Sequence, residues 1–120
     1  MQYKRADRIA AVIKVQINEI IMRELHDADL GFITITKVHV SDDIRHAKIY
    51  YSILGNEEKK QNAHNVLQKA KGLIRSELAH RIKVRFVPEI DFYYDDSAEY
   101  AEHIQVLLNK IKEEDSLNKK

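Results

Sequence analysis

Hydrophobic residues recur every three or four positions in three parts of the chain, and this spacing predicts three helical regions. The first is residues 4–25, where isoleucines form one face of an amphipathic helix. The second starts after Asn56, a residue suited to cap a helix N-terminus, and its apolar stripe crosses Gly72 without losing phase. The third covers residues 101–111. Small and acidic residues at 26–31 predict a turn after the first helix.

Three other segments have the composition and alternation of β-strands. Residues 32–40 are rich in β-branched side chains, but Ile33 and Ile35 are out of phase with Val38 and Val40. Either a bulge lies between them or both faces are partly covered. Residues 47–53 alternate strictly and should pair antiparallel with the first strand, and 90–95 give a third strand.

These elements predict an α+β fold in the order α-β-β-α-α-β-α, with a three-stranded sheet and helices mainly on one face. The consecutive helices result from dividing the second stripe at Gly72, because glycine within a helix costs about 1 kcal/mol relative to alanine. We expect a bend there, with backbone N–H groups open to an anion beside Lys71. A packing glycine between two helices is an equal alternative. Residues 1–112 should form one domain, followed by a short frayed tail at 113–120.

Composition narrows the class of protein. The chain has 120 residues, of which 44% are hydrophobic and 32% charged, as in an ordinary globular domain. It has no cysteine, and no apolar run approaches the roughly 20 residues of a membrane span. We therefore expect a cytoplasmic monomer without a membrane contact, a metal or a cofactor.

Charge is unevenly distributed although the net charge is only +1. Residues 68–85 contain one acid, Glu77, and six cations: Lys69, Lys71, Arg75, Arg81, Lys83 and Arg85. The segment 89–102 that follows has acids but no lysine or arginine. One basic face predicts a polyanionic partner, the alternative being an ordinary solvated surface. Further candidate contacts are Arg5, Arg8, Lys37 and Arg45.

Enzymatic chemistry has little support in the sequence. The adjacent aspartates at 42–43 and 95–96 lie where turns and helix caps are expected, and the serines lack the context of an activated nucleophile. Without thiolates or a helical His-x-x-x-His pair, a metal site is not predicted. Tyr50 and Tyr93 could stack on a base, or could cover apolar neighbours on the sheet.

Several motifs, in this order and spacing, resemble the bacterial ribosome-binding factor A family over nearly the whole chain. They are RADRIA at 5–10, LGF at 30–32, VHVSDDIRHAKIYYS at 38–52, AKG at 70–72, and RFVPEIDF at 85–92 with Asp95 and Ser97. The resemblance implies a type II KH-like domain in which a kinked Ala-x-Gly helix pair replaces the usual glycine loop. The kink residues would be Ala70, Lys71 and Gly72, with Lys69 and Arg75 as phosphate contacts.

The resemblance also implies a function. It implies non-catalytic binding to the small (30S) ribosomal subunit and its 16S rRNA during late maturation and 5′-end processing, a role in cold adaptation, and an assembly GTPase as a partner. Two alternatives remain: a domain that binds one protein, and a generic KH-like module for single-stranded RNA. Steep salt dependence would favour an RNA partner over a protein partner.

Overall fold

The computed structural model describes residues 4–25 and 32–118, so the turn predicted at 26–31 lies outside the described residues. Within these ranges the chain forms three helices and three strands. They are α1 (Arg5–Glu24), β1 (Phe32–Val40), β2 (His46–Leu54), α2 (Glu57–Arg81), β3 (Glu89–Tyr94) and α3 (Ser97–Asn118). The predicted α+β class and three-stranded sheet are confirmed. Asn56 caps α2 as expected, its side chain accepting the Lys59 N–H at 2.9 Å.

The sheet has the order β1-β2-β3, and α1 and α2 pack on one of its faces. β1 and β2 are antiparallel, as predicted, whereas β2 and β3 are parallel. Parallel neighbours need a long connection across the sheet, and α2 provides it. The core lies between this helix pair and the inward residues of the strands, such as Ile35, Ile49 and Phe92.

A bulge in β1 explains the phase change noted in its sequence. Ile35 pairs with Tyr51 and Lys37 with Tyr50, so Thr36 is the extra residue. The bulge lets Ile35 and Val40 face the same core, although they are an odd number of positions apart and would point to opposite faces of a regular strand. Of the two alternatives offered by the sequence, the bulge is correct.

The two consecutive helices of the predicted order are the halves of one continuous helix, α2, which passes through Gly72. Interior N–H groups of a helix bond the carbonyl four residues earlier, so the expected open amides at Gly72 are not present. Buried Leu67 and Ile74 hold the helix to the core on both sides of the glycine. Gly72 itself is exposed, and a Cβ there would meet no atom within 4 Å, so it is not a packing glycine either.

α3 forms where the sequence predicts a last amphipathic helix, but its apolar stripe is exposed. Ile104 is 37% and Ile111 54% exposed, which excludes them from the core. The helix continues to Asn118, past residue 112, where we expected a frayed tail. Its first turn is held by Asp95, whose carboxylate accepts the Ser97 N–H at 2.9 Å. None of the described helices combines the length and apolarity needed to cross a bilayer.

Candidate functional site

Two adjacent clefts lie at one end of the domain, and we call them the basic clefts. The larger, of about 670 Å³, lies between the β1–β2 turn at 43–46, the connection at 84–87 and Glu89. The smaller, of about 380 Å³, lies between the N-terminal half of α1 and residues 81–84. They share Arg5 and Val84. Together they are lined by seven of the predicted site residues: Arg5, Arg8, Arg45, Arg75, Arg81, Lys83 and Arg85.

The connection between α2 and β3 supplies much of this charge because its side chains alternate. Ile82 is buried and Val84 half-buried, while Lys83 and Arg85, which alternate with them, are exposed. The pattern fails at Phe86, which is 74% exposed instead of facing the core. The Arg85 guanidinium lies 5.5 Å from the centre of its ring, so a cation and an aromatic face are presented together.

The β1–β2 turn is fixed by its own side chains. The Ser41 hydroxyl donates to the Asp43 carboxylate at 2.6 Å, and the Arg45 N–H donates to the same oxygen at 3.2 Å. These two hydrogen bonds lower the pKa of Asp43. Ile44 has a φ of 60°, a conformation that costs a β-branched residue on the order of 1–3 kcal/mol. The turn therefore places Arg45 at the rim of the larger cleft, and the hydrogen bonds to Asp43 help to maintain the unfavourable backbone conformation of Ile44.

Two of the cations that line the clefts form hydrogen bonds or ion pairs with other residues of the chain. Arg75 donates to the Val87 carbonyl at 2.8 Å and the Pro88 carbonyl at 3.2 Å, and lies 3.3 Å from Glu89. Arg81, with a side chain only 19% exposed, lies 3.3 Å from Glu19 and joins α2 to α1. Both residues support the walls of the clefts.

The other five cations of the clefts are Arg5, Arg8, Arg45, Lys83 and Arg85. All five are exposed, and none has a carboxylate within 4 Å in the part of the chain that the structure describes. Arginine and lysine heads without a protein partner can donate to an external anion without first breaking an ion pair. These five residues form the candidate site.

The remaining predicted residues lie elsewhere. Lys69, Ala70, Lys71 and Gly72 line neither cleft, and Lys71 is paired with Asp91 at 2.8 Å. Lys37 extends from the face of the sheet opposite α1 and α2. The kink expected to organise the site is thus separated from the charges that the fold brings together. Phe86 lines the larger cleft but is not among the residues predicted from the sequence, because an apolar residue carries no local signal that it will be exposed. Among residues 4–25 and 32–118, no group of three or more metal-binding side chains forms.

Comparisons with known proteins agree on one family. A family model described as ribosome-binding factor A matches residues 5–108. A ribosome-binding factor A of Halothermothrix orenii is 44% identical, covering 96% of this chain and 94% of that protein. The Geobacter metallireducens protein of the same name is 42% identical, with 97% and 98% covered.

Solved structures show the same likeness. The crystal structure of ribosome-binding factor A from Thermus thermophilus gives a TM-score of 0.65 at 25% identity, covering 74% of this chain and 94% of that chain. A Thermus thermophilus homology model of that factor, fitted into the cryo-EM map of its complex with the 30S subunit, gives 0.64 at 25% identity, with 72% and 91% covered.

Proposed function

Because the chain belongs to the ribosome-binding factor A family, we propose that it binds the small ribosomal subunit through the two basic clefts. The observation that carries the proposal is the convergence of five exposed cations from three separate segments, none of which forms an ion pair within residues 4–25 and 32–118. The 30S complex described for the Thermus thermophilus factor supports the choice of partner.

The ligand of the clefts is the phosphate backbone of folded 16S rRNA. Each phosphate neutralised by lysine or arginine contributes about 0.7 to 0.9 to the slope of log affinity against log salt. Five contacts therefore give a slope of roughly −3.5 to −4.5. Arg85 and Phe86 add a surface on which one base or sugar can lie. The clefts contribute shape and charge recognition, with little reading of sequence.

The proposed role is that of a non-catalytic factor in late maturation of the subunit, including formation of the rRNA 5′-end region. The resemblance stated above also supports a role in cold adaptation and an assembly GTPase as a further partner. In this role the chain binds one conformation of the rRNA, and separate enzymes cleave the rRNA at its 5′ end.

The test is co-sedimentation of the full chain with purified immature and mature small subunits at several salt concentrations. A cleft variant carries Arg8→Gln, Arg45→Gln and Arg85→Gln. A matched control removes three exposed lysines outside the clefts, Lys14→Gln, Lys59→Gln and Lys112→Gln. We expect the cleft variant to bind roughly 10- to 100-fold more weakly, with a salt slope reduced by about 2 to 3, and the control to bind within about threefold of the unmodified chain.

Equal losses in the two variants would show that only total charge matters, and unchanged binding of the cleft variant would place the interface elsewhere. A salt-insensitive complex with a single protein would instead support the protein-interaction alternative. Since exposed substitutions change stability by about 0.5 kcal/mol or less, unfolding curves serve as the folding control.

A further inference from the structure

The face of the sheet opposite α1 and α2 carries side chains that the proposed function does not use. Lys48 pairs with Asp91 and Tyr50 with Tyr93 across β2 and β3. Paired residues point to the same side of a sheet, and the alternating residues, such as Ile49, are buried against the helices. These pairs therefore face outward. We call this surface the open sheet face.

Two rings and two cations form a continuous strip on the open sheet face. The centres of the Tyr50 and Tyr93 rings are 5.7 Å apart, with their planes inclined by 33°. The Lys37 ammonium lies 5.7 Å from the Tyr50 ring and the Lys48 ammonium 5.9 Å from the Tyr93 ring. The bulge at Thr36 places Lys37 opposite Tyr50. Tyr93 is 43% exposed, so its ring is accessible.

Two of the acids near this strip, Asp91 and Glu89, are paired with cations. Asp91 is paired with Lys71 at 2.8 Å and Glu89 with Arg75 at 3.3 Å, both cations reaching from α2 around the edge of the sheet. Asp95 remains a charged carboxylate, because hydrogen bonds from Ser97 and Thr36, and to a lesser extent the nearby Lys37 ammonium, lower its pKa.

Lys37 and Lys48 have no carboxylate within 4 Å among the described residues. The strip is thus aromatic with an excess of positive charge. It is also continuous with the larger basic cleft, because His46 and Glu89 belong to both surfaces.

We propose that the open sheet face binds a single-stranded segment of RNA, with one or two bases on the Tyr50 and Tyr93 rings and phosphates at Lys37 and Lys48. Aromatic platforms flanked by cations suit single-stranded nucleic acid, because every base has a π-face and every linkage a charge. A protein partner is a poorer match, since the exposed apolar residues of this face, Phe32 and Leu54, lie only at one end of it, and the polar residues Thr34, Ser52 and His39 complete the rest. The proposal does not depend on the clefts being the contact with the subunit.

The test measures, by fluorescence anisotropy, how tightly the full chain binds fluorescein-labelled oligoadenylate and oligouridylate. Each oligonucleotide has about eight nucleotides, a length within the usual range for one stacking surface. Tyr50→Leu and Tyr93→Leu remove the π-face and keep apolar bulk, while Tyr50→Phe and Tyr93→Phe keep the ring. The leucine variants should bind roughly 5- to 100-fold more weakly, and the phenylalanine variants within about threefold of the unmodified chain.

A Lys37→Gln and Lys48→Gln double variant gives an independent measurement. Its salt slope should be smaller by about 1.4 than that of the unmodified chain. Tyrosine ring signals in NMR spectra should shift on addition of the oligonucleotide, and unfolding curves check that each variant folds.

The proposal is overturned if the unmodified chain does not bind either oligonucleotide, if the leucine variants bind as it does, or if the phenylalanine variants lose as much affinity as the leucine variants. These outcomes are distinct from failure of the proposed function. That failure would appear as unchanged binding of the cleft variant to small subunits, measured in a different assay with different residues.

Discussion

Replacing Gly72 by alanine tests whether α2 is one continuous helix without a functional bend. The glycine is exposed, its φ is not positive, and an added Cβ would have no neighbour within 4 Å. Because the added methyl group meets no other atom, the only effect should be the better helix propensity of alanine. Gly72→Ala should therefore raise the free energy of unfolding by about 0.5 to 1 kcal/mol.

The size of the thermal shift follows from the length of the chain. An unfolding entropy of about 2.1 cal/mol/K per residue gives roughly 0.25 kcal/mol/K for 120 residues. Gly72→Ala should therefore raise Tm by about 2 to 4 °C, measured by circular dichroism at 222 nm and checked by urea titration. Ala79→Gly, at an exposed position of the same helix, is a control of opposite sign and should lower stability by up to about 1 kcal/mol.

Binding of Gly72→Ala to small subunits gives the second half of this test. If the clefts carry the interface, the affinity should stay within about twofold, since Gly72 lines neither cleft. A loss of stability would mean that the backbone at Gly72 departs from a helix. A large loss of affinity at unchanged stability would restore the bend as the recognition element and refute our assignment to the clefts.

Two further predictions concern residues that hold the site and the last helix. Arg75→Ala should lower the free energy of unfolding by about 1 to 2 kcal/mol in urea titration, because two carbonyls of the α2–β3 connection lose their donor. The control Lys69→Ala, at an exposed position without such contacts, should change the free energy of unfolding by less than about 0.5 kcal/mol. Equal effects of the two substitutions would contradict the role of Arg75 in holding the connection. The pKa of Asp95 is held below its ordinary value of 3.8, first by the hydrogen bond from Ser97 and then by that from Thr36. Its stabilising contribution is thus present above pH 3.8 and lost as the pH falls through the lowered value. Asp95→Ala should be less stable than the unmodified chain near pH 7, with a difference that shrinks in acid, and a difference independent of pH would refute the assignment.

Much of the fold could be predicted because its signals are local. The alternation in residues 32–40 contains a break, and a single extra residue at Thr36 is the simplest way for Ile35 and Val40 to share one core. Asn56 followed by two glutamates marks the start of α2 for similarly local reasons. The parallel pairing of β3 with β2 depends on the path of the chain, and the sequence left it open.

Gly72 lies in a helix although its helix propensity is poor. The cost of one glycine is about 1 kcal/mol, comparable with what a single buried side chain contributes. Leu67 and Ile74 flank Gly72 and are both fully buried, so packing outweighs the local preference. The continuous apolar stripe was the stronger signal.

The roles of individual cations could not be predicted, because their partners are distant in sequence. Lys71 and Asp91 are 20 residues apart, and Arg75 reaches carbonyls 12 and 13 residues away. Charge density in the sequence marks residues 68–85 as a basic segment, but tertiary contacts decide which of its side chains are paired within the fold. For α3, periodicity establishes an apolar face and contains no information on what that face contacts.

The clefts are assembled from positions as far apart as Arg5 and Glu89, and their walls meet only after β3 has paired with β2. A chain unfolded by heat keeps all of these cations but does not hold them close together in space. The basic clefts are therefore a property of the completely folded chain, and a partly folded copy lacks them.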